Sequence, residues 1–366
     1  MNGKFYAYLE VNEEEKSMKK SLSAVALVLA MLFAMPSISA AAAGNPFQDV
    51  TESHWAYHYV ERAAEKGWIT GVGGGRYAPE QSVTGAEFVT MVTKSLYFDE
   101  VRPGQAGEPW YQPYVDTAQS HGLLTNGLGE KNVLDNPVNR YRMAALLYNV
   151  AKEADVVQYV DGGILTVDGV TVLNSSNASE YIGDWAGIPA EYQESVLASY
   201  ALGLLSGIDE YGTFGGEFSM TRAQGAVVLC HINNLVRYGM GVSMYSAEVV
   251  ELVNEERAKM GLGELRVDTN LQWAAQARAL ELIQSFSHTR PDGSSCFTVL
   301  EEYGVTGYVT CGENIAAGYL NPEMVMDGWM NSPGHRSNIL SANFDTIAVG
   351  CVDYYGTPYW VQLFLG

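Results

Sequence analysis

The chain has 366 residues, of which 47% are hydrophobic and 17% are charged. This composition is sufficient to build the cores of two or three domains and excludes a wholly disordered protein. The 21 Lys and Arg residues are outnumbered by 42 Asp and Glu residues, which leaves a formal net charge of −21. The excess of acidic groups excludes nonspecific nucleic-acid binding and adhesion to an anionic membrane by charge alone, so an anionic partner would need a few well-placed cations.

Residues 1–43 have the pattern of a leader followed by an export signal. Two lysines after Met18 precede an apolar run at residues 22–35, and small residues follow as far as Ala43. This order is typical of a signal peptide, whereas the polar residues before Met18 are a poor start for one, so we predict that Met18 is the true first residue. The mature protein is therefore expected to be secreted into an oxidising space, where disulfides persist.

Three copies of a helix–loop–helix pattern follow, at residues 45–98, 108–152 and 182–237. Each copy has a tryptophan near the start of its first helix, a glycine that ends this helix, and a short motif that opens the second helix. The motifs are VTGAE, VNRYR and MTRAQ, and the first and third have the Thr-x-x-Glu/Gln spacing of a capping box. The repetition predicts one module built from three helical pairs.

An insert and a linker interrupt the helical pattern. Residues 153–181, between the second and third copies, alternate apolar and polar residues and predict a β-hairpin arm with Asp168-Gly169 at its turn. Residues 238–244 contain two glycines and predict a linker. We expect a domain of another kind at residues 245–366.

The three copies resemble S-layer homology repeats. The resemblance is carried by the Phe-x-Asp start at residues 47–49, by the tryptophan and mid-repeat glycine of the copies, and by the Thr-Arg-Ala-Gln motif at residues 221–224. In that family, three tandem repeats form an all-α, pseudo-threefold module that binds secondary cell-wall polysaccharide, often one that carries pyruvate ketals. The resemblance therefore implies an anionic wall polymer as the partner of this module.

Two arginines are candidate ligand residues in the repeats, Arg140 and Arg222, each in the first turn of a second helix. A cation there opposes the helix dipole, whereas a helix N-terminus together with a guanidinium can hold a carboxylate. A role as an ordinary surface charge is equally open, and Gly85 takes this place in the first copy. The resemblance adds further ligand candidates, which are Asp49, Trp55 and Thr221.

The C-terminal segment begins with two helices of core-packing pattern and closes with two strands joined by a turn. Between them lie the motifs FSHTRPDG, GENIAAG and WMNSPGHRSNIL, and the last strand contains YWVQ. This set resembles the CAP superfamily of cysteine-rich secretory, antigen 5 and pathogenesis-related proteins, in its bacterial form. The resemblance implies an α/β fold, a three-layer α-β-α sandwich, so the whole chain is predicted to be a multidomain protein.

The two histidines of this segment, His288 and His335, both lie in predicted loops. With Glu313 they make a set suited to Zn²⁺ with one open coordination position, although hydrogen bonding to the backbone is an alternative role for both. The resemblance implies a cavity with two histidines and two acidic residues, sometimes holding a metal, but Ser332 stands where the second acid is expected. Two acids of the preceding helix could replace it, namely Glu323 and Asp327.

The four cysteines are too few for a disulfide scaffold. Cys296 and Cys311 flank the loop between two of the candidate-site segments, and we expect a disulfide between them that braces the cavity. Cys230 lies in a predicted helix and Cys351 in a predicted strand, and both are candidates for buried free thiols.

These features predict a secreted, wall-associated protein of a Gram-positive-type bacterium. The repeats would anchor it, and the CAP domain would act as an extracellular binding or signalling module for a lipid, a peptide or a wall fragment. The sequence contains neither a His-Glu-x-x-His nor a Gly-x-Ser-x-Gly motif, so binding is favoured over catalysis. A metal-dependent hydrolase, either a protease or a wall hydrolase, is the alternative, and a purely structural surface-layer role is a third.

Overall fold

The computed structural model describes residues 45–167, 169 and 171–366. The predicted signal peptide and Asp168 of the predicted turn lie outside the described residues. The helices of the N-terminal module are α1 (Tyr57–Glu65), α2 (Gly85–Leu96), α3 (Gln112–Ser120), α4 (Lys131–Leu134), α5 (Arg140–Glu153), α6 (Ala190–Ala201) and α7 (Arg222–Tyr238). Within the part of the chain that the structure describes, no helix is long and apolar enough to cross a membrane.

The second helix of each repeat begins with the same local structure. Thr84 and Thr221 have extended backbones at the N-caps of α2 and α7, and each forms a capping box with the residue three positions on. Asn139 caps α5 by accepting a hydrogen bond from the Arg142 amide, without a returning bond. The capping boxes predicted from the sequence are therefore present, and each satisfies two backbone amides at a helix start.

The segments that precede these three helices bond to one another. The Val83 amide donates to Met220 O at 3.0 Å, the Val138 amide donates to Val83 O at 3.1 Å, and the Arg140 amide donates to Phe218 O at 3.0 Å. Each segment thus pairs with the other two, and one continuous apolar core runs through the three repeats.

Besides a short 3-10 helix at Ala178–Glu180, the described part of the insert contains three short strands. They are β1 (Tyr159–Val160), β2 (Gly163–Leu165) and β3 (Val172–Leu173), which form an antiparallel sheet in that order. Asp161 and Gly162 make the tight turn between β1 and β2, with φ angles of 49° and 77°. This is the left-handed region that Asp-Gly turns of hairpins use. The N-terminal module is therefore a mixture of helices and short strands, and the strands lie in the insert that the sequence predicts to be β-rich.

A four-stranded sheet forms the centre of the C-terminal domain. Its strands are β4 (Arg266–Val267), β5 (Cys311–Ala317), β6 (Thr346–Tyr354) and β7 (Thr357–Leu365). Their order is β4-β6-β7-β5, with β6 antiparallel to β7, β7 antiparallel to β5, and β4 parallel to β6. The helices of the domain are α8 (Met244–Lys259), α9 (Thr269–Gln284), α10 (Thr298–Glu302), α11 (Pro322–Met330) and α12 (Pro333–Ile339).

The alternation of apolar residues along β6 and β7 creates two cores. Ile347 and Val349 pack in one cluster with apolar residues of α8 and α11, whereas Ala348 packs in the other cluster with α9 and α10. At Gly350 the sheet and α9 approach so closely that a Cβ atom would lie 2.1 Å from Ala275 O. Helices therefore cover both faces of the sheet, which leaves β5 to carry Glu313 at its edge.

The two domains contact each other on both sides of the short connection at residues 239–243. Trp273 of α9 is 7% exposed and packs with the core of the repeats, and its Nε1 donates to Val167 O of the insert at 3.2 Å. Arg62 of α1 and Lys66, the residue that follows this helix, each form an ion pair with Glu251 of α8, both at 3.0 Å. The connection is thus held between two packed surfaces.

We expect this contact to weaken in alkaline solution. Burial and the nearby carboxyl group of Glu323 raise the pKa of Glu248 to about 8, so its carboxyl group is protonated in the fold at neutral pH. Because this pKa is above the unfolded value, the stabilisation is complete at acid pH and is lost as the pH rises through about 8. Melting temperatures should therefore fall between pH 6 and pH 9 in the native chain. Glu248→Gln should reduce this fall, while Glu255→Gln, an exposed acid of the same helix, should leave it unchanged; equal falls in all three proteins would contradict the prediction.

Candidate functional site

Glu313, in the first half of the buried strand formed by the GENIAAG motif, is the centre of the candidate site. Its side chain is 1% exposed. One carboxylate oxygen accepts a hydrogen bond from Arg278 Nε at 2.9 Å, and the other lies 2.8 Å from His288 Nδ1. A carboxylate this deeply buried needs such partners, since desolvation would otherwise make ionisation costly. The structure therefore brings His288 and Glu313 together, as the sequence predicted.

Arg278 is the site residue that the sequence analysis missed. It lies in α9, its side chain is fully buried, and it also donates to Ser287 O at 3.0 Å and to Glu281 at 2.6 Å. The sequence does carry a signal for it, because it stands among the alanines and leucines of α9 at a core position. A single arginine in such a place needs a buried partner, and Glu313 is that partner.

His288 and His335 reach the site from a loop and from a helix, respectively. His288 is 58% exposed, and its backbone is fixed by the bond from the Cys296 amide to His288 O at 3.2 Å. His335 lies within α12, not in a loop, and Asn314 Nδ2 donates to His335 O at 3.1 Å. Burial, together with the charge of His288, lowers the pKa of His335, which keeps this imidazole neutral at physiological pH.

A buried amide network supports the site from behind. Asn314 is fully buried, accepts from Asn338 Nδ2 at 2.8 Å and donates to Gln362 Oε1 at 2.9 Å. Asn338 also donates to Glu313 O at 3.4 Å. These contacts join α12 to β5 and β7, so the Asn residues of both motifs position the site and are not part of its surface.

The predicted Zn²⁺ set does not fit the observed geometry. Among the residues that the structure describes, no group of three or more His, Cys, Asp or Glu side chains is arranged to hold a metal ion. Glu313 is already paired with Arg278 and withdrawn from solvent, which makes it a poor metal ligand. The substitutes are also engaged elsewhere, because Glu323 bonds to Glu248 near the other domain and Asp327 accepts from Asn331 at 3.0 Å.

The expected disulfide between Cys296 and Cys311 is wrong for this structure, in which both are free thiols. Cys296 is 4% exposed, and its thiol bonds to Glu313; burial and this carboxylate raise its pKa to about 12. The loop is braced instead by Arg290, which donates to Glu281 and to Thr298 Oγ1, both at 3.0 Å. Cys230 and Cys351 are free as well.

Thiol titration tests whether the four cysteines are free. The denatured, unreduced protein should react as four free thiols per chain, because all four cysteines of the sequence are free in the structure. The same count should be obtained after prior reduction, which serves as the control. Two reactive thiols before reduction and four after it would show that one disulfide is present and would contradict the prediction.

In the repeats, the side chain of Arg222 is buried and bonds to other groups of the protein. It is 6% exposed, its Nε donates to Tyr77 O at 2.8 Å, and its terminal nitrogens donate to Thr70 O and to Glu87, both at 2.7 Å. The guanidinium also stacks over the Tyr77 ring, 4.7 Å from the centroid. Arg222 thus fastens the start of α7 to the first repeat.

Arg140 makes the equivalent contacts with the third repeat. It is 5% exposed, its Nε donates to Phe214 O at 2.8 Å, a terminal nitrogen donates to Ser206 O at 2.5 Å, and the group stacks over Phe214 at 4.8 Å. Burial lowers its pKa to about 10. At Gly85 a Cβ would lie 2.6 Å from Val133 O, so backbone packing replaces an arginine between the first and second repeats. The expectation of open cations at these helix starts is corrected, since carbonyl groups occupy both guanidiniums.

Two of the other three predicted ligand residues are also internal. Asp49 accepts from the amides of Tyr77 and Ala78 at 2.7 and 2.8 Å; partial burial opposes its ionisation, but these bonds prevail and lower its pKa. Asp184 makes the same pair of bonds in the third repeat, to the amides of Phe214 and Gly215. Thr221 is occupied by its capping box. Trp55 alone among the three presents its side chain, which is 41% exposed.

Two protein families match parts of this chain. The S-layer homology domain matches residues 46–89, and CAP, the cysteine-rich secretory protein family, matches residues 250–364. The chain therefore contains an S-layer homology domain followed by a CAP domain, as the motifs predicted.

Several known proteins are similar to parts of this chain. The uncharacterized protein YkwD of Bacillus subtilis is 43% identical over 127 residues, which are 34% of this chain and 48% of that protein. The S-layer protein EA1 of Bacillus anthracis is 29% identical over 123 residues, 32% of this chain and 14% of that protein. A solved extracellular protein with an SCP domain from B. anthracis is 27% identical, with a TM-score of 0.31, over 34% of this chain and 41% of that one. This chain thus spans about half of YkwD, and its domains make it an extracellular protein associated with the cell wall.

Proposed function

We propose that the repeats anchor this protein to secondary cell-wall polysaccharide and that the CAP domain, an α-β-α sandwich, is displayed as an extracellular recognition module. The observation that carries the second part is the ion pair between Arg278 and Glu313, with side chains 0% and 1% exposed. It neutralises the one acid of the site. A buried, paired carboxylate is a poor metal ligand and a poor general base, so the site supports binding better than hydrolysis.

The chemistry of the site indicates the kind of ligand. His288 offers a half-exposed imidazole, and His335 offers a second one, whose pKa is lowered by burial and by its proximity to His288. Neutral imidazoles both donate and accept hydrogen bonds. These groups suit a polar ligand such as a peptide or a wall fragment better than a lipid chain.

The anchoring role rests on the repeats. The three mutually bonded segments and the two matched arginine contacts support a pseudo-threefold module, in which each repeat depends on its neighbours. The S-layer homology domain and the relative named as an S-layer protein support a wall polymer as its partner. Because the arginines are occupied, recognition of a pyruvyl carboxylate would need another cation.

Co-sedimentation with purified cell walls tests the anchoring role. The full chain should pellet with intact walls and remain in solution with walls from which the secondary polysaccharide has been extracted by acid. Peptidoglycan recovered after extraction must still be intact, which a labelled peptidoglycan-binding protein can verify. Equal pelleting with both preparations, or none with either, would contradict the proposal.

A further inference from the structure

We propose that a groove beside the first and second repeats binds an uncharged sugar unit of the wall polymer. The groove has a volume of about 510 Å³ and is lined by Phe98, Arg102, Trp110, Tyr114 and their neighbours. That volume is within the range of small-molecule binding sites. The proposal rests on the proposed wall anchoring and names the sugar chemistry that the repeats recognise.

Two large aromatic side chains of the groove are exposed to solvent. Phe98 is 62% exposed and Trp110 is 61% exposed. Trp110 is held edge-on against Tyr111, with ring centroids 5.5 Å apart, and Tyr111 in turn donates to Asp135 at 2.9 Å. The electron-rich face of an indole attracts the weakly positive C–H groups on the apolar face of a pyranose ring. Exposed aromatic rings beside polar groups therefore suit a carbohydrate.

The loop that carries the groove is ordered by its own contacts. Arg102 donates from Nε to Asp116 Oδ2 at 2.9 Å and from two terminal nitrogens to both oxygens of Glu108, at 2.9 and 2.8 Å. Arg102 also donates to Pro103 O at 3.1 Å, and Gln112 donates to Asp116 at 2.7 Å. A loop held in this way loses little conformational freedom when a ligand binds.

The charges of the groove favour a neutral ligand. Arg102 is the one cation among the lining residues, and it is paired with Glu108 and Asp116, while Asp99 adds a further negative charge. An anionic sugar would be repelled, whereas the carboxylate oxygens can accept hydrogen bonds from sugar hydroxyls. The occupation of Arg140 and Arg222 by backbone carbonyls is consistent with this preference.

Quantitative wall binding by the full chain tests the groove. Trp110→Ala and Phe98→Ala should each weaken binding to intact walls by about tenfold or more, the loss expected for a central aromatic contact. Tyr355→Ala removes an aromatic ring that is 91% exposed at a distant turn, and it should bind as the native chain does. Isothermal titration with a neutral N-acetylglucosamine tetramer and with an acidic oligogalacturonate should give Trp110-dependent binding of the neutral sugar alone.

The outcomes separate this proposal from the anchoring role. If the native chain binds walls and both groove variants bind equally well, the groove proposal is overturned while anchoring stands. If walls are not bound but the neutral tetramer binds and Trp110→Ala abolishes this, anchoring fails and the wall polymer is not the source of the sugar, while the groove stands as a site for a neutral sugar. Preference for the acidic oligomer, or the absence of binding to walls and to both oligomers, overturns the proposal.

Discussion

Replacing Arg278 by methionine should destabilise the CAP domain by about 3–5 kcal/mol, the usual cost of breaking a buried ion pair. The substitution keeps most of the side-chain volume but leaves the Glu313 carboxylate buried, with His288 and the Cys296 thiol as its remaining side-chain partners. It also removes the donor to Ser287 O, which helps to fix the loop before His288. Denaturant unfolding followed by circular dichroism measures the loss of free energy.

A double-mutant cycle provides the control for this prediction. Glu313→Gln alone removes the buried negative charge, and the combination with Arg278→Met should cost less than the two single losses together, because the paired charges are removed jointly. If Arg278→Met lowered the free energy of unfolding by less than about 1 kcal/mol, Arg278 and Glu313 would not form a buried ion pair.

Arg222→Ala should destabilise the repeats by about 3 kcal/mol or more. The change removes three hydrogen bonds and leaves Thr70 O, Tyr77 O and part of Glu87 without their donor, and each unsatisfied buried group costs about 1–3 kcal/mol. The stacking contact with the Tyr77 ring is lost as well. Arg140→Ala should show a similar loss, because it makes equivalent contacts with the third repeat.

The matched control for these variants is Arg76→Ala, since Arg76 is an exposed arginine of the same module. Thermal unfolding of the full chain should show a lowered transition for Arg222→Ala and an unchanged one for Arg76→Ala. If Arg222→Ala left the stability intact but abolished wall binding, the arginine would be a ligand residue, as the sequence pattern first indicated.

Local features of the fold were accessible from the sequence. Thr84 and Thr221 predict the starts of two helices, because a capping box depends on residues only three positions apart. The motifs of the CAP domain likewise predicted that His288 and Glu313 meet. The insert has two Asp-Gly signals, and the sequence analysis used only Asp168-Gly169. The strands β2 and β3 do pair across this segment, where the Gly169 amide donates to Thr166 O at 3.0 Å, and a second tight turn at Asp161-Gly162 joins β1 to β2.

The errors arose where a partner comes from a distant segment. Arg222 donates hydrogen bonds to backbone carbonyls of the first repeat, and nothing in the motif around Arg222 predicts this contact. Cys296 and Cys311 are well spaced for a disulfide, but the Cys296 thiol is turned toward Glu313. The sequence predicted Glu313 as a metal ligand, whereas in the structure Arg278 neutralises its carboxylate. A short motif does not show which distant side chain will pair with its acid.

Calorimetric titration of the full chain with Zn²⁺ tests the central claim that the CAP site recognises a ligand and is not a metal centre. The native chain and a His288→Ala/His335→Ala variant should give the same weak heats, because Arg278 already occupies the carboxylate that a metal would need. Stoichiometric binding that is lost in the double variant would contradict the account. It would show that the ion pair opens, and it would restore metal-dependent hydrolysis as the function to test.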